Sequence, residues 1–222
     1  MVIVDNGSHD GTDKIAEELI LRYPDEVLFF HLEERGRGRA LRFAWQRSKA
    51  DVCCYMDVDL STDLAHLQEL VGAILEEGYD VSTGSRLMTR SRTQRSFKRE
   101  MISRAYNLCI KLYLGTRFSD AQCGFKAASR AFIDRVLPQI EDQGWFFDTE
   151  LLALAEKQGY RIKDIPVVWS EDNDSRVKIV QTAVDDIKGL VRIKRFLRQE
   201  NGQTAAKAAV AVKSSRPPAD SL

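Results

Sequence analysis

Asp51-Val52-Cys53-Cys54-Tyr55-Met56-Asp57-Val58-Asp59-Leu60-Ser61-Thr62-Asp63 is the stretch on which the fold turns. Val52 to Met56 are apolar or aromatic and rich in β-formers, which predicts a buried strand. Two carboxylates follow, Asp57 and Asp59, with one residue between them. Side chains alternate along a strand, so the pair is expected to point the same way. Neighbouring like charges repel and raise each other's pKa unless a cation sits between them. Oxygen ligands suit Mg²⁺ or Mn²⁺, which bridge carboxylates to a substrate's phosphates. Ser61 offers a hydroxyl as a further ligand. The plainer reading is a strand-to-helix junction, with Ser61, Thr62 or Asp63 as N-cap.

Strands and helices alternate on both sides of this stretch. Val2-Ile3-Val4 reads as a buried strand that ends in the turn-rich Asp5-Asn6-Gly7-Ser8-His9-Asp10-Gly11-Thr12. Thr12 or Asp13 is placed to cap a helix with an apolar face at Ile15, Ala16, Leu19 and Ile20. A second strand runs from Val27 to Leu32. Arg35-Gly36-Arg37-Gly38-Arg39 then opens a helix, and reads either as a diphosphate cradle or as a flexible basic loop. Beyond the aspartates come a helix, Leu64 to Leu75, and a strand from Tyr79 towards Arg86. Such alternation indicates an α/β fold with a mainly parallel sheet. Ligands bind at the carboxyl ends of such strands, where Asp5, Asp57 and Arg86 fall.

From Arg86 to Lys111 the chain carries eight basic residues and one acid, Glu100. Arg99, Ser103 and Tyr106 share one helical face there. Apolar residues interleave the segment, which suits either the surface of an anionic membrane or packing against the core. No recognised nucleic-acid module accompanies it. Asp120, in Ser119-Asp120-Ala121-Gln122-Cys123-Gly124-Phe125-Lys126-Ala127, is a turn residue or a catalyst. Trp145 to Leu152 starts a helix with Asp148 at or near its N-cap. Arg161 to Trp169 reads as an edge strand, interrupted by Pro166. Val180 to Leu197 is a basic amphipathic helix, and residues 200–222 read as a disordered tail.

The 222 residues are 44% hydrophobic and 30% charged, enough for a sizeable core. Lysine plus arginine equals aspartate plus glutamate at 33 each, so net charge points to no partner. No apolar run is long enough to span a membrane, and no signal peptide opens the chain. The four cysteines have neither metal-type nor Cys-x-x-Cys spacing, and are expected to be reduced and mostly buried. The three histidines are scattered and suggest no role.

Six ordered motifs, from Val4-Asp5-Asn6-Gly7-Ser8-His9-Asp10-Gly11-Thr12 to Phe147-Asp148-Thr149-Glu150-Leu151-Leu152, resemble family 2 glycosyltransferases of the GT-A fold. The likeness is greatest to the dolichyl- and polyprenyl-phosphate sugar transferases. It implies a Rossmann-like mixed, mainly parallel sheet flanked by helices over residues 1–199, ending in the amphipathic helix. It implies inverting transfer of a hexose from UDP-glucose or GDP-mannose to polyprenyl or dolichyl phosphate, at the cytoplasmic face of a membrane. A non-catalytic remnant or acidic-lipid-binding module is the rival reading. Asp5, Gly7, Ser8, Arg37, Asp57 and Val58 are expected to contact the donor nucleotide. Asp57, Asp59 and Ser61 are expected to hold Mg²⁺ or Mn²⁺. Arg86, Arg99 and Ser103, with Arg176 and Lys178, are expected to grip the acceptor phosphate, and Asp120 to act as base or orient the acceptor. The family normally begins one strand and one helix earlier, and that strand is internal to its sheet. Glu34 stands where the family usually has Asn, and Ser61 where it often has Gln.

Overall fold

The computed structural model describes residues 1–170, 182 and 184–199. Parallel strands β1 (Val2–Asn6) and β2 (Leu28–Leu32) are joined through helix α1 (Thr12–Arg22). Helix α2 (Arg37–Arg47) leads to β3 (Val52–Met56). The main sheet adds β4 (Val81–Ser85), β6 (Phe125–Ser129) and β7 (Ile162–Pro166) in the order β3-β6-β4-β7. β6 runs antiparallel to both its neighbours, while β4 and β7 are parallel. The short β5 (Arg92–Gln94) pairs in parallel with β8 (Val168–Ser170). Three of the five ladders are therefore parallel, the mixed and mainly parallel sheet expected. β7 is an edge strand, and Pro166 closes it.

Alternation along the strands builds a core on each face of the main sheet. Cys53 and Tyr55 point into the larger cluster with Trp45 of α2 and Phe132 of α5 (Arg130–Val136). Phe147 and Leu151 of α6 (Phe147–Lys157) complete that face. Val52 and Met56 point the other way, to Phe125, Ile165 and, from α3 (Leu67–Leu75), Leu70 and Ile74. Helix α4 (Phe97–Leu114) adds Ile110 and Leu114 to the first cluster, and α7 (184–199) adds Ile193.

Several local expectations are corrected or narrowed. β3 stops at Met56, so Asp57 and Asp59 lie in a turn closed by Leu60 N–H donating to the Asp57 carbonyl at 3.1 Å. Leu60 has φ 51°, a left-handed conformation that turns the chain sharply. Strand alternation therefore does not orient this pair; the turn does, and it brings both to one pocket. Left-handed Gly11, not Thr12 or Asp13, stands at the N-cap of α1, while the Thr12 hydroxyl donates to Asp10 at 2.6 Å. Asp63 caps the helical turn before α3 through Ala65 N–H. Asp148 lies near the N-cap of α6, as its second residue. Of the thiols, Cys53 and Cys123 are buried, and Cys54 and Cys109 exposed. Among the described residues β1 pairs only with β2 and β3 only with β6, so each keeps one edge outside any ladder.

Candidate active site

The turn after β3 and the loop before β6 meet in one pocket, lined by Asp57, Asp59, Ser61, Thr62, Gly124 and Trp169. Asp57 N–H donates to the Gly124 carbonyl at 3.0 Å, and a Cβ on Gly124 would overlap the Asp57 carboxylate. Asp59 accepts from Ser61 N–H at 2.9 Å, which sets the turn and leaves the carboxylate at the surface. Two carboxylates and a serine on one pocket fit a hard divalent ion that takes its remaining ligands from water and phosphate. No group of three or more His, Cys, Asp or Glu residues suited to a metal occurs among the described residues, so a purely protein cage is not built there.

Asp57 already faces a cation. Arg37, in the first turn of α2, donates from Nε and Nη2 to Asp57 Oδ1 at 3.0 and 2.9 Å. Its Nη1 donates to Asp148 Oδ2 at 2.5 Å. Burial pushes the Asp57 carboxyl up from the ordinary range, with Asp148 and Asp59 adding to the rise and Arg37 opposing it. Asp148 is buried, and it also accepts from the Tyr55 hydroxyl and pairs with Lys126 Nζ at 3.6 Å. Burial alone would raise its pKa; Arg37 and Lys126 outweigh this and hold it low. Lys126, fully buried in β6, donates to the carbonyls of Cys123 at 2.5 Å and Ala121 at 3.2 Å.

That loop carries Asp120, which is fully buried. Asp120 accepts from Arg86 Nε at 2.7 Å, Arg86 Nη2 at 3.0 Å and the Arg86 backbone N–H at 3.1 Å. Burial would raise the Asp120 pKa, but the Arg86 guanidinium brings it down to about 2. Such a carboxylate is a poor proton acceptor at neutral pH, and both its oxygens hold the Arg86 guanidinium. Arg86 spends two of its five N–H donors on Asp120. Its guanidinium lies 5.5 Å from the Trp169 ring centre, and that of Arg95 lies 6.0 Å away.

Ser103 is buried on α4, and its Oγ lacks a hydrogen-bond partner among the described residues. One turn on, Asn107 donates to the Ser103 carbonyl and accepts from Ala121 N–H at 2.8 Å, tying α4 to the Asp120 loop. Arg99 is exposed in the first turn of α4. Arg176 and Lys178 lie outside the described residues.

Asp5, at the carboxyl end of β1, is buried and accepts from Ser8 N–H at 3.2 Å and pairs with His31 Nδ1 at 2.8 Å. Gly7 provides the turn with φ 79°. Asn6 Oδ1 accepts from Gly36 N–H at 3.2 Å, linking this loop to the start of α2. The glycines of the Arg-Gly-Arg-Gly-Arg segment serve packing rather than an open phosphate cradle. Gly38 and Arg39 N–H donate to the carbonyls of Gly144 and Gln143, both at 3.1 Å. A Cβ on Gly36 would overlap Gln143, and one on Gly38 would come within 2.8 Å of Phe147 Cβ. Val58 is 97% exposed and makes no pocket wall in this arrangement.

Sequence reasoning missed Tyr55, Lys126, Asp148, Asn107 and Trp169 as site residues. Buried lysine within an apolar strand was the one signal available for this group, because an unpaired buried ammonium is strongly disfavoured.

Residues 1–137 match the family described as Glycosyl transferase family 2. Glycosyltransferase AglD of Haloferax volcanii is 38% identical over 191 residues, 86% of this chain and 30% of that protein. The dolichyl-phosphate beta-glucosyltransferase of Saccharomyces cerevisiae is 27% identical over 87% of this chain and 64% of its own length. The polyprenol monophosphomannose synthase of Mycolicibacterium smegmatis is 29% identical over 77% of this chain and 66% of its own. The chain thus spans from under a third to about two thirds of these curated relatives. Glucosyl-3-phosphoglycerate synthase from Mycobacterium tuberculosis, solved with UDP, superposes with a TM-score of 0.64 at 19% identity, covering 86% of this chain and 67% of that one. The same enzyme solved with Mn²⁺, UDP-glucose and phosphoglyceric acid gives 0.57 at 17%, covering 82% and 62%. These likenesses show a shared GT-A fold, and the match over the first 137 residues places the chain in glycosyl transferase family 2.

Proposed function

We propose that this chain forms the catalytic domain of an inverting glycosyltransferase that moves a hexose from a nucleotide-diphosphate sugar to a polyprenyl phosphate. One observation carries the reading: the pocket of Asp57, Asp59 and Ser61 shares Trp169 with the Arg86–Asp120 pair. A site for a diphosphate lies beside a held guanidinium suited to a second phosphate. Asp57, Asp59 and Ser61 would hold Mg²⁺ or Mn²⁺, which when bound supplies positive charge against the leaving diphosphate. A lipid phosphate is an anion near neutral pH, so it needs orientation more than deprotonation. Asp120 meets that need by fixing Arg86, with Arg99, Ser103, Arg176 and Lys178 as the further acceptor contacts. Asp5, Gly7, Ser8 and Arg37 serve the nucleotide. The names of the dolichyl-phosphate and polyprenol relatives support the acceptor class.

A lipid acceptor calls for a membrane surface. Phe97, Met101, Leu108 and Leu112 form an exposed apolar stripe along one face of α4, with Lys98 and Arg104 exposed on the same helix. No described helix is long and apolar enough to cross a membrane. We read α4 as a peripheral contact with anionic lipid. Met101→Glu combined with Leu112→Glu is expected to weaken binding to anionic vesicles about tenfold.

The deciding assay supplies radiolabelled UDP-glucose or GDP-mannose, polyprenyl phosphate and Mn²⁺. Lipid-extractable label that is lost in excess chelator is expected. No lipid-linked label from either donor would overturn the reading in favour of a non-catalytic remnant.

A further inference from the structure

Among the described residues, Asp148 is the carboxylate that reaches both halves of the site. Its Oδ2 holds Arg37, whose opposite edge holds Asp57 Oδ1. Its Oδ1 takes the Tyr55 hydroxyl and pairs with Lys126, which ties down the carbonyls of Ala121 and Cys123. Those carbonyls belong to the loop whose Asp120 fixes Arg86. Tyr55 and Lys126 face each other across the β3–β6 ladder, so the sheet sets the spacing of the cluster. Anchoring α6 does not require these charges, because Phe147, Leu151 and Leu152 already bury it. Buried ion pairs give little net stability over apolar packing, and their retention calls for a positional explanation.

We infer that Asp148 is a positioning residue that sets the donor carboxylate Asp57 and the acceptor loop of Asp120 relative to one another, through Arg37 and Lys126. The inference rests on the glycosyl-transfer reading and assigns a new role within that site. Each arm has its own expected signature. Arg37→Lys keeps the charge but loses the fork, and weakens the donor side. Lys126→Met keeps the bulk and loosens the acceptor loop.

The test measures binding of UDP and GDP with Mn²⁺ by calorimetry, and separately the KM for polyprenyl phosphate, on the 222-residue protein. Outer-layer partners of this kind typically matter by tenfold or more. Asp148→Asn is expected to weaken nucleotide binding and raise the acceptor KM, each by about tenfold. Arg37→Lys should move only nucleotide binding, and Lys126→Met only the acceptor KM. A purely structural role would lower the thermal midpoint and leave both parameters unchanged in folded Asp148→Asn, which would overturn the inference. Should Asp148→Asn fail to fold, the single-arm variants decide: if both move the same parameter, or neither moves any, the two-sided arrangement is wrong. A parent protein that binds neither nucleotide overturns the glycosyl-transfer reading itself. A parent that binds while the variants show no split overturns the inference alone.

Discussion

Gly124 has no side chain where one would meet Asp57. Its carbonyl accepts from Asp57 N–H, and the Asp57 carboxylate covers the space a Cβ would fill. The obstructing atoms are the end of a half-exposed side chain, so the protein can yield by swinging that carboxylate aside. Gly124→Ala should therefore spare the fold and displace the carboxylate proposed to hold the metal ion. We expect a thermal midpoint within about 3 °C of the parent, the shift that about 1 kcal/mol gives in a chain of this size. Transfer should fall by about 100-fold, as is common when a reacting group is misplaced by an ångström. Full activity with an unchanged midpoint would mean that Asp57 works from another rotamer. The residue scale is also where sequence reasoning reached least far. Asp57, Asp59, Asp120 and Arg86 were legible as candidates because short motifs carry them. Their partnerships were not: Arg37 meets Asp148 across 111 positions, and Arg86 meets Asp120 across 34. No local periodicity reports a contact of that separation, so the sequence leaves Asp120 as turn residue or catalyst and places Asp148 only at or near an N-cap.

Elements were more legible, because strand and helix periods are local. β3 and α2 follow from apolar patterning, and Pro166 marks β7 as an edge strand. Helix α7 was foreseen as amphipathic, with membrane and core packing both open; its described part docks on the domain. Ile193 is buried, a Cβ on Gly189 would overlap the Phe146 ring, and Arg192 Nη2 donates to Glu150 at 2.7 Å. Ile187 and Val184 remain outward, so the helix also presents an apolar surface. Asp186 is buried against Tyr106 of α4. Burial, with Asp142 and Asp185 adding to it, pushes its carboxyl up to about 6 although the Tyr106 hydroxyl opposes the shift. The ordinary value is 3.8. Between about pH 4 and 6 the folded state keeps a proton that the unfolded state has lost, so stability falls as pH rises through that window. Docking of α7 should be firmer at pH 5 than at pH 7.5. Hydrogen-exchange protection factors in 184–199 are expected to drop by about tenfold between those values. Asp186→Asn should remove most of the drop. An equal drop in that variant would place the pH response elsewhere.

At the scale of the whole molecule, two strand systems are joined without sharing a ladder. β1 and β2 carry Asp5 and the Gly7 turn; β3, β6, β4 and β7 carry Asp57, Lys126 and the Asp120 loop. Strand-helix alternation in the sequence points to one mainly parallel sheet, but hydrophobic runs do not say which strands are neighbours, nor that β6 enters antiparallel between β3 and β4. α2 joins them: Gly36 N–H reaches Asn6, Arg37 reaches Asp57, and Arg42 Nη1 donates to the Leu137 carbonyl. β1 contributes one buried residue, Asp5, whereas all five residues of β4 are buried. Few buried apolar contacts and an edge outside any ladder mark a unit that opens at lower free energy than the rest. Amides of β1 and β2 should accordingly exchange well ahead of those in β4 and β6. If Asp5, Gly7 and Ser8 contact the nucleotide, a bound nucleoside diphosphate links this weaker unit to the stronger one. Ligand at 100 times its Kd stabilises the bound form by about 2.7 kcal/mol, equivalent to roughly 100-fold slower opening. Adding UDP or GDP with Mn²⁺ is therefore expected to slow exchange in β1 and its following loop far more than in β4. If the nucleotide protects the Asp57 turn and leaves the Asp5 loop unchanged, the base and ribose are held elsewhere, and α2 alone carries the donor between the two sheets.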